Sequence, residues 1–286
     1  MKRFEFIDCA KNTIAVERLC QTMGVTSNGY RAWKSRSISQ RQRDDMVLLD
    51  NIREQHALSL HTYGRPRIAV ELQELGFDVS ERRVGRLMRD NGIQAVRSRR
   101  YKRTTDSNHG LAIQPNVLDR DFTAERLNEK WAVDISYLWM NEGWLYLAVV
   151  MDLFSRKIIG WAASDRMKKD LAIEALQRAI ALRTPPPGCL HHSDKGSQYC
   201  SYEYQKLLAD NGFVVSMSGT GNCFDNAVVE TFFKTLKAEF LWRQQWATRQ
   251  QVINGLFWFI NGFYNLRRKH SALGWKSPEV FEREAA

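Results

Sequence analysis

Residues 131–161 read WAVDISYLWMNEGWLYLAVVMDLFSRKIIGW. Three runs rich in β-branched and aromatic residues follow one another here: "WAVDISYLW", "WLYLAVVMD" and, running on to Ser164, "RKIIGWAAS". Only "NEG" and "LFS" separate them, so the stretch predicts three antiparallel strands joined by tight connections. The middle run is apolar throughout, as a strand covered on both faces would be. It is too short to span a bilayer.

Beyond this stretch the pattern changes to alternation. "KKDLAIEALQRAIALR" predicts a helix from about Lys168 to Arg183. A short strand should lead into "CLHHSD", followed by a helix near 201–211, the strand "FVVSM" and a long helix from Asp225 to about Trp242. Three antiparallel strands followed by α-β-α-β-α is the order of a mixed α/β, ribonuclease-H-like fold. Such sheets carry their sites at the carboxyl ends of strands.

The first hundred residues read as helices only. "TIAVERLCQTMG" (from Thr13) puts Ile14, Leu19 and Met23 near one face and stops at Gly24. "VTSNGYRAWKSR" restarts with Ser27 as the expected N-cap. A second pair, "RPRIAVELQELG" and "SERRVGRLMRDNG", opens at Pro66 and Ser80 and ends at Gly76 and Gly92. Each pair reads as helix-turn-helix-like. In the last helix Arg82, Arg83 and Arg86 surround an apolar face of Val84, Leu87 and Met88. These arginines are candidates for phosphate contact, or else an ordinary solvated face. "RSRRYKR" (97–103) then carries five basic residues in seven, Arg97, Arg99, Arg100, Lys102 and Arg103, and leads into the breaker-rich "TTDSNHG". The expected organisation is a helix-turn-helix-like segment (1–60), a second helical DNA-binding unit (61–103), a linker (104–128), the catalytic core (129–245) and a helical, basic extension (246–286).

Charge follows the same division. Residues 1–110 hold 21 Lys and Arg against 13 Asp and Glu, a net of +8; residues 111–286 hold 21 against 19, a net of +2. A basic N-terminal third on a nearly neutral body suits a polyanionic partner such as DNA. The start "MKRFEFIDCAK" has no apolar run after its charges, so no secretory signal is expected. Five scattered cysteines without a C-x-x-C pair suggest reduced thiols in a cytoplasmic protein, with no cysteine zinc site.

Three acids stand out by position. Asp134 lies amid Trp131, Val133 and Ile135, a costly place for a carboxylate unless it faces a polar cavity or a metal. Asp194 follows the short strand "CLHH". Glu230 lies in the helix "DNAVVETFFKTLKAEF". If the sheet brings the first and fourth strands side by side and the helix packs across them, the three carboxylates converge. Hard divalent cations want oxygen ligands, and a pair of them suits in-line displacement at phosphorus. Asn226, Glu230, Lys234 and Lys237 share one helical face, with Val229, Phe232, Phe233, Leu236 and Phe240 on the other. Lys234 and Lys237 are candidates for DNA phosphate, alongside Asn226.

The stretch "HHSDKGSQY" (191–199) raises competing readings: a zinc site, a serine nucleophile with its bases, or one carboxylate at a strand end. Adjacent residues cannot fold onto one another as a Ser/His/Asp triad requires, and oxygen ligands suffice for a hard metal. His191 and His192 are therefore expected to pack or to support Asp194. In "YNLRRKHSALGWKSP" (264–278), Arg267, Arg268, Lys269 and His270 are either phosphate contacts or a charged cap on the final helix. Phe257 and Trp258 read as core.

"WAVDISY", "GWLYLAVVMDLFSRKIIGW", "HHSDKGSQY", "GNCFDNAVVETFFKTLKAEF" and "FYNLRRKHSALGWKSPEVF" together resemble the DDE transposases encoded by the second reading frame (OrfB) of a large group of bacterial insertion sequences. Their catalytic core is kin to retroviral integrases. The resemblance runs from "ERLCQTMGVTSNGYRAW" through "TYGRPRI" to the C-terminus. It implies that Asp134, Asp194 and Glu230 form the catalytic triad and bind two Mg²⁺ or Mn²⁺ ions. It further implies DNA cleavage and strand transfer at the element's ends, terminal inverted repeats and target DNA as partners, and a homo-oligomer assembled on DNA. An upstream-frame (OrfA) protein or fusion is implied as well, and no membrane. Leu266 departs from many relatives, far from the triad. The His/Cys zinc module of retroviral integrases is missing from this sequence, so no zinc is expected. A nuclease or resolvase that cuts without joining remains the alternative.

Overall fold

The computed structural model describes residues 2–96, 114–219 and 226–285. They form two compact units, 1–53 and 54–286. The first holds α1 (Lys2–Ala10), α2 (Val16–Thr22), α3 (Ser27–Ser35) and most of α4 (Gln40–Leu58), which crosses the division. Ile7, Leu19, Cys20 and Tyr30 make its core, with Phe4, Met23 and Trp33 packed against them. The Tyr30 hydroxyl donates to Asp8 at 2.6 Å. Two sequence expectations shift here. Ile14 is exposed, since it precedes the helix that was to carry it. The cap of α3 is Thr26, in extended backbone, whose hydroxyl accepts the Gly29 N–H at 3.0 Å; Ser27 is the first helical residue.

The second unit begins with α5 (Arg65–Glu74) and α6 (Glu81–Asp90), capped by Ser80, whose hydroxyl accepts the Arg83 N–H. Next come β1 (Lys130–Met140), β2 (Gly143–Asp152), β3 (Ile158–Ser164), α7 (Lys169–Arg183), β4 (Leu190–Ser193), α8 (Tyr202–Asp210), β5 (Val214–Met217) and α9 (Ala227–Glu239). The strand order is β3-β2-β1-β4-β5. The first three strands are antiparallel neighbours, whereas β4 runs parallel to β1 and β5 parallel to β4. This is the arrangement expected of a ribonuclease-H-like core.

Helix α7 lies against β2 and β3, where Leu171, Ala172, Ala175, Leu176 and Ala179 meet Trp131, Val133, Ala148, Val150, Ile159 and Ala162. Alanines at this seam let the helix come close to the sheet. The approach is closest at Gly160, where a Cβ would stand 2.3 Å from the Ala175 carbonyl oxygen and 2.7 Å from the Ala179 methyl.

The chain then runs through α10 (Arg249–Phe257), a π-helical segment (Trp258–Tyr264) and α11 (Pro278–Ala285). This extension ties α5 to the core, and residues 54–96 group with the sheet-bearing unit; the expected boundary at 103/104 lies outside the described residues. The cause is a set of buried polar contacts. Tyr63, fully buried, donates to the Arg267 carbonyl at 3.2 Å and accepts from the Lys269 N–H at 2.8 Å. Lys269 Nζ meets Glu74 at 2.6 Å, and Arg67 Nε donates to the Lys269 carbonyl at 3.0 Å. Arg268 grips Glu239, the last residue of α9, through two bonds of 2.7 Å. Phe257 and Trp258, expected in the core, are instead 62% and 48% exposed. Phe259, Ile260 and Phe263, further along, supply the buried side of this segment. No helix among the described residues is long and apolar enough to cross a membrane.

Two stability outcomes follow. Gly160→Ala should lower unfolding free energy by about 1–3 kcal/mol through overpacking at the α7 seam, measured by urea denaturation. Glu239→Ala should cost about 3–5 kcal/mol, because it leaves the Arg268 guanidinium buried without its partner.

Candidate active site

The three acids arise from three elements. Asp134 is the fifth residue of β1. The parallel pairing of β1 with β4 matches Lys130 with Leu190, Trp131 with His191 and Ala132 with His192. Two residues further along each chain come Asp134, still within β1, and Asp194, one residue past the end of β4. Glu230 lies in the first turn of α9. The amide of Asn226, the residue before that helix, donates to the Val133 carbonyl at 2.9 Å. That bond fastens the start of α9 to β1 one residue before Asp134.

Electrostatics records the proximity. Asp134 keeps some solvent contact at its edge but is otherwise enclosed by protein, and desolvation pushes its carboxyl well above the ordinary range. The charges of Asp194 and, less strongly, Glu230 push in the same direction. The Ile135 N–H, donating to Asp134 Oδ1 at 2.8 Å, and the charge of Lys237 offset only part of this. Glu230 lies 3.8 Å from Lys234 Nζ in a half-exposed pair. Among the described residues, no three His, Cys, Asp or Glu side chains stand close enough together to hold an ion as they lie.

The loop after β4 is built around its acid. Asp194 Oδ1 accepts the Gly196 N–H at 2.9 Å. A Cβ at position 196 would stand 3.0 Å from that oxygen and 2.8 Å from Gln198 Oε1, so the missing side chain lets the loop fold closely onto the carboxylate. Tyr199 is buried beside it. Burial raises its phenol well above the usual range, and the charges of Asp194 and Asp134 add to the effect. Sequence reasoning passed over this tyrosine, although its place five residues after an acid strand end was a signal. The histidines support the strand, as expected. His191 Nε2 pairs with the Tyr204 hydroxyl and His192 Nδ1 with Ser216 Oγ, both at 2.9 Å. Burial lowers His191 to about 3, so its ring is neutral.

The candidate DNA contacts divide into groups. Arg82 is exposed on α6, Arg83 and Arg86 are half-buried, and Arg86 lies 3.7 Å from Asp90. Lys234 is exposed on α9. Arg97, Arg99, Arg100, Lys102 and Arg103 lie outside the described residues. The others are wholly or partly buried and have partners within the fold. Asn226 and Lys237 are buried: Lys237 Nζ donates to Ser136 Oγ at 2.7 Å and stands 5.2 Å from the centre of the Tyr137 ring. Arg268 and Lys269 are buried in the ion pairs with Glu239 and Glu74, and burial lowers His270 to about 3. Of that run, Arg267 is half-buried and donates to Gln55 Oε1 at 2.9 Å. The basic cluster thus works mainly as an internal clamp, because each charge has an acid or carbonyl from a distant segment within reach.

Comparison with known proteins agrees with this geometry. Models of the integrase core domain match residues 124–223 and 211–278, and a model of an HTH-like domain matches residues 42–101. The chain is 39% identical over 287 residues to the transposase InsF for insertion sequence IS3A of Escherichia coli (strain K12), covering 98% of each protein. It is 39% identical over 263 residues to an uncharacterized 31 kDa protein of insertion element IS600 of Shigella sonnei, covering 92% of this chain and 97% of that protein. Among solved structures, the HTLV-2 integrase catalytic core domain in complex with magnesium aligns with 55% of this chain and 97% of that one, at 19% identity and a TM-score of 0.42. An integrase core preceded by an HTH-like domain, with 39% identity to InsF over 98% of the chain, places this chain in the family of IS3 insertion-sequence transposases, enzymes that cut and join DNA.

Proposed function

We propose that Asp134, Asp194 and Glu230 are the catalytic residues of this transposase and that together they hold two divalent cations, Mg²⁺ or Mn²⁺. The observation that carries the reading is the mutual repulsion of these acids: a buried carboxylate on β1 is held well above its ordinary range by desolvation and by the two others. Three carboxylates that repel one another fit a hard cation, which prefers oxygen ligands. Bound there, such ions activate an attacking oxygen and stabilise the leaving one.

The chain's own residues prepare the site. Asn226 and the Lys237–Ser136 bond hold α9 along β1, so Glu230 is carried on a rigid element. Gly196 keeps the loop tight against Asp194. The reaction has two displacements at phosphorus. Water attacks the phosphodiester at the element's end, breaking the bond to the 3′ oxygen and freeing a 3′-hydroxyl. That hydroxyl then attacks a target phosphodiester, forming one P–O bond as another breaks, with no covalent link to the enzyme. Arg82, Arg83, Arg86, Lys234, Arg267 and the basic run 97–103 track the phosphates of the terminal inverted repeats and target. In this reading the working form is a homo-oligomer on DNA, joined or preceded by an upstream-frame (OrfA) product.

Asp134→Asn, Asp194→Asn and Glu230→Gln should each lower strand cleavage and joining at least about 10³-fold, roughly 4 kcal/mol of barrier. The assay is labelled element ends with Mg²⁺, scored for shorter and for longer products; cutting without longer products would leave a nuclease in place of a transposase. A second readout is stability. Asp134 binds its proton more tightly in the folded state than at its ordinary value of 3.8, so ionisation costs stability as pH rises past that value. Asp134→Asn should therefore melt higher than wild type at pH 7 without metal, with the gap closing as pH falls towards 4. Added Mg²⁺ should raise the melting point of the wild type more than that of the variant.

A further inference from the structure

Past the triad, where β1 and β2 turn into one another, the protein carries an unusual density of exposed aromatic rings. Trp139 is 65% exposed, Trp144 43% and Trp242 48%. Trp139 and Trp144 meet edge to face with centroids 4.8 Å apart, and Tyr137 meets Trp144 in the same way at 5.2 Å. These rings, with Trp246, wall an open cavity of about 290 Å³. Lys237 also lines it, placing an ammonium beside the Tyr137 ring.

The cavity is held in shape from outside. Arg249 donates to the Glu142 carbonyl at 2.9 Å and to the Trp144 carbonyl at 3.3 Å, and its own N–H donates to the Glu142 carboxylate at 2.8 Å. The Asn141 N–H donates to the Trp246 carbonyl at 3.3 Å. The turn of the hairpin is thereby pinned to the segment that precedes α10. The pinned turn holds the rings in these edge-to-face contacts, with Trp139 and Trp144 still open to solvent.

Several exposed tryptophans in one pinned cavity are not explained by the core, nor by the triad. Flat π-faces suit an equally flat, aromatic occupant, and the ammonium suits an occupant that carries negative charge. A nucleobase attached to its phosphate has both properties, and stacking on exposed rings is how unpaired bases are held without regard to sequence. The same α9 that carries Glu230 carries Lys237 two turns further on, so one helix links the cavity to the acids.

We propose that the cavity formed by Tyr137, Trp139, Trp144, Trp242, Trp246 and Lys237 binds an unpaired nucleobase next to the strand being processed. The proposal rests on the DNA-processing reading above but concerns binding alone, and it is tested without chemistry. The probe is a duplex with 2-aminopurine in a short single-stranded overhang, compared with a fully paired duplex of the same length, in the absence of divalent metal. Wild type and Asp134→Asn should both quench the 2-aminopurine and bind the overhang more tightly than the paired duplex. Trp144→Ala and Trp139→Ala should weaken overhang binding about five- to one-hundred-fold, with little change for the paired duplex, while Trp144→Phe retains the preference. Both positions are solvent-exposed, and an unchanged melting point would establish that the alanine variants fold.

Equal affinity of wild type for overhang and paired duplex would overturn the proposal. So would alanine variants that bind as wild type does, or that change only the sedimentation of the protein, which would make this face a contact between copies. Failure of the catalytic reading looks different: no cleavage by wild type with Mg²⁺, with quenching intact.

Discussion

Parallel pairing of β1 with β4 is the constraint on which the site depends. Strands distant in sequence must lie side by side in a fixed register for Asp134 and Asp194 to emerge together, and a slip of one residue would turn one of them to the opposite face. The register is enforced by packing. Trp131 and Val133 point into the seam under α7, so the alternate position, Asp134, must point away from it. The energy of the hydrophobic seam is thus what holds a carboxylate in a place it would otherwise avoid. Burial and the neighbouring acids leave that carboxylate strained towards its protonated form, and this strain is the chemical signature of the site.

Polar anchors then fix what hydrophobic packing alone leaves loose. Asn226 at the start of α9 and Glu239 at its end are both held, one by a β1 carbonyl and the other by Arg268. The helix that carries Glu230 is therefore tied at both ends. Its far anchor continues through Lys269 and Tyr63 to α5. Part of the HTH-like region and the helix that carries Glu230 consequently share one polar network, so a change at α5 has a short physical route to α9.

Local periodicity made most of the fold legible. Strand alternation, the apolar run of β2, and the glycines at 24, 76 and 92 marked elements whose bounds fall within about three residues of those expected. The positions of the three acids could be read because each sits at a recognisable place: inside a strand, at a strand's end, on a helix face. What could not be read were contacts between segments far apart in the chain. "RRKH" looks like a phosphate patch in isolation; only the fold brings Glu239 and Glu74 against it. Lys237 shares a helical face with Glu230, but nothing in the spacing tells that the face lies against the edge of β1. Phe257 and Trp258 show the reverse error, since large aromatic residues were assigned to the core by type, whereas the next turn provides the buried side.

The account stands on the acids gathering around metal, and iron-mediated cleavage of the protein's own backbone tests that directly. With Fe²⁺ in place of Mg²⁺ and ascorbate added, hydroxyl radicals should cut the chain near residues 134, 194 and 230 together, excess Mg²⁺ should suppress all three cuts, and Asp134→Asn should abolish them. Cuts confined to one of these segments, or falling elsewhere and unaffected by the substitution, would contradict it.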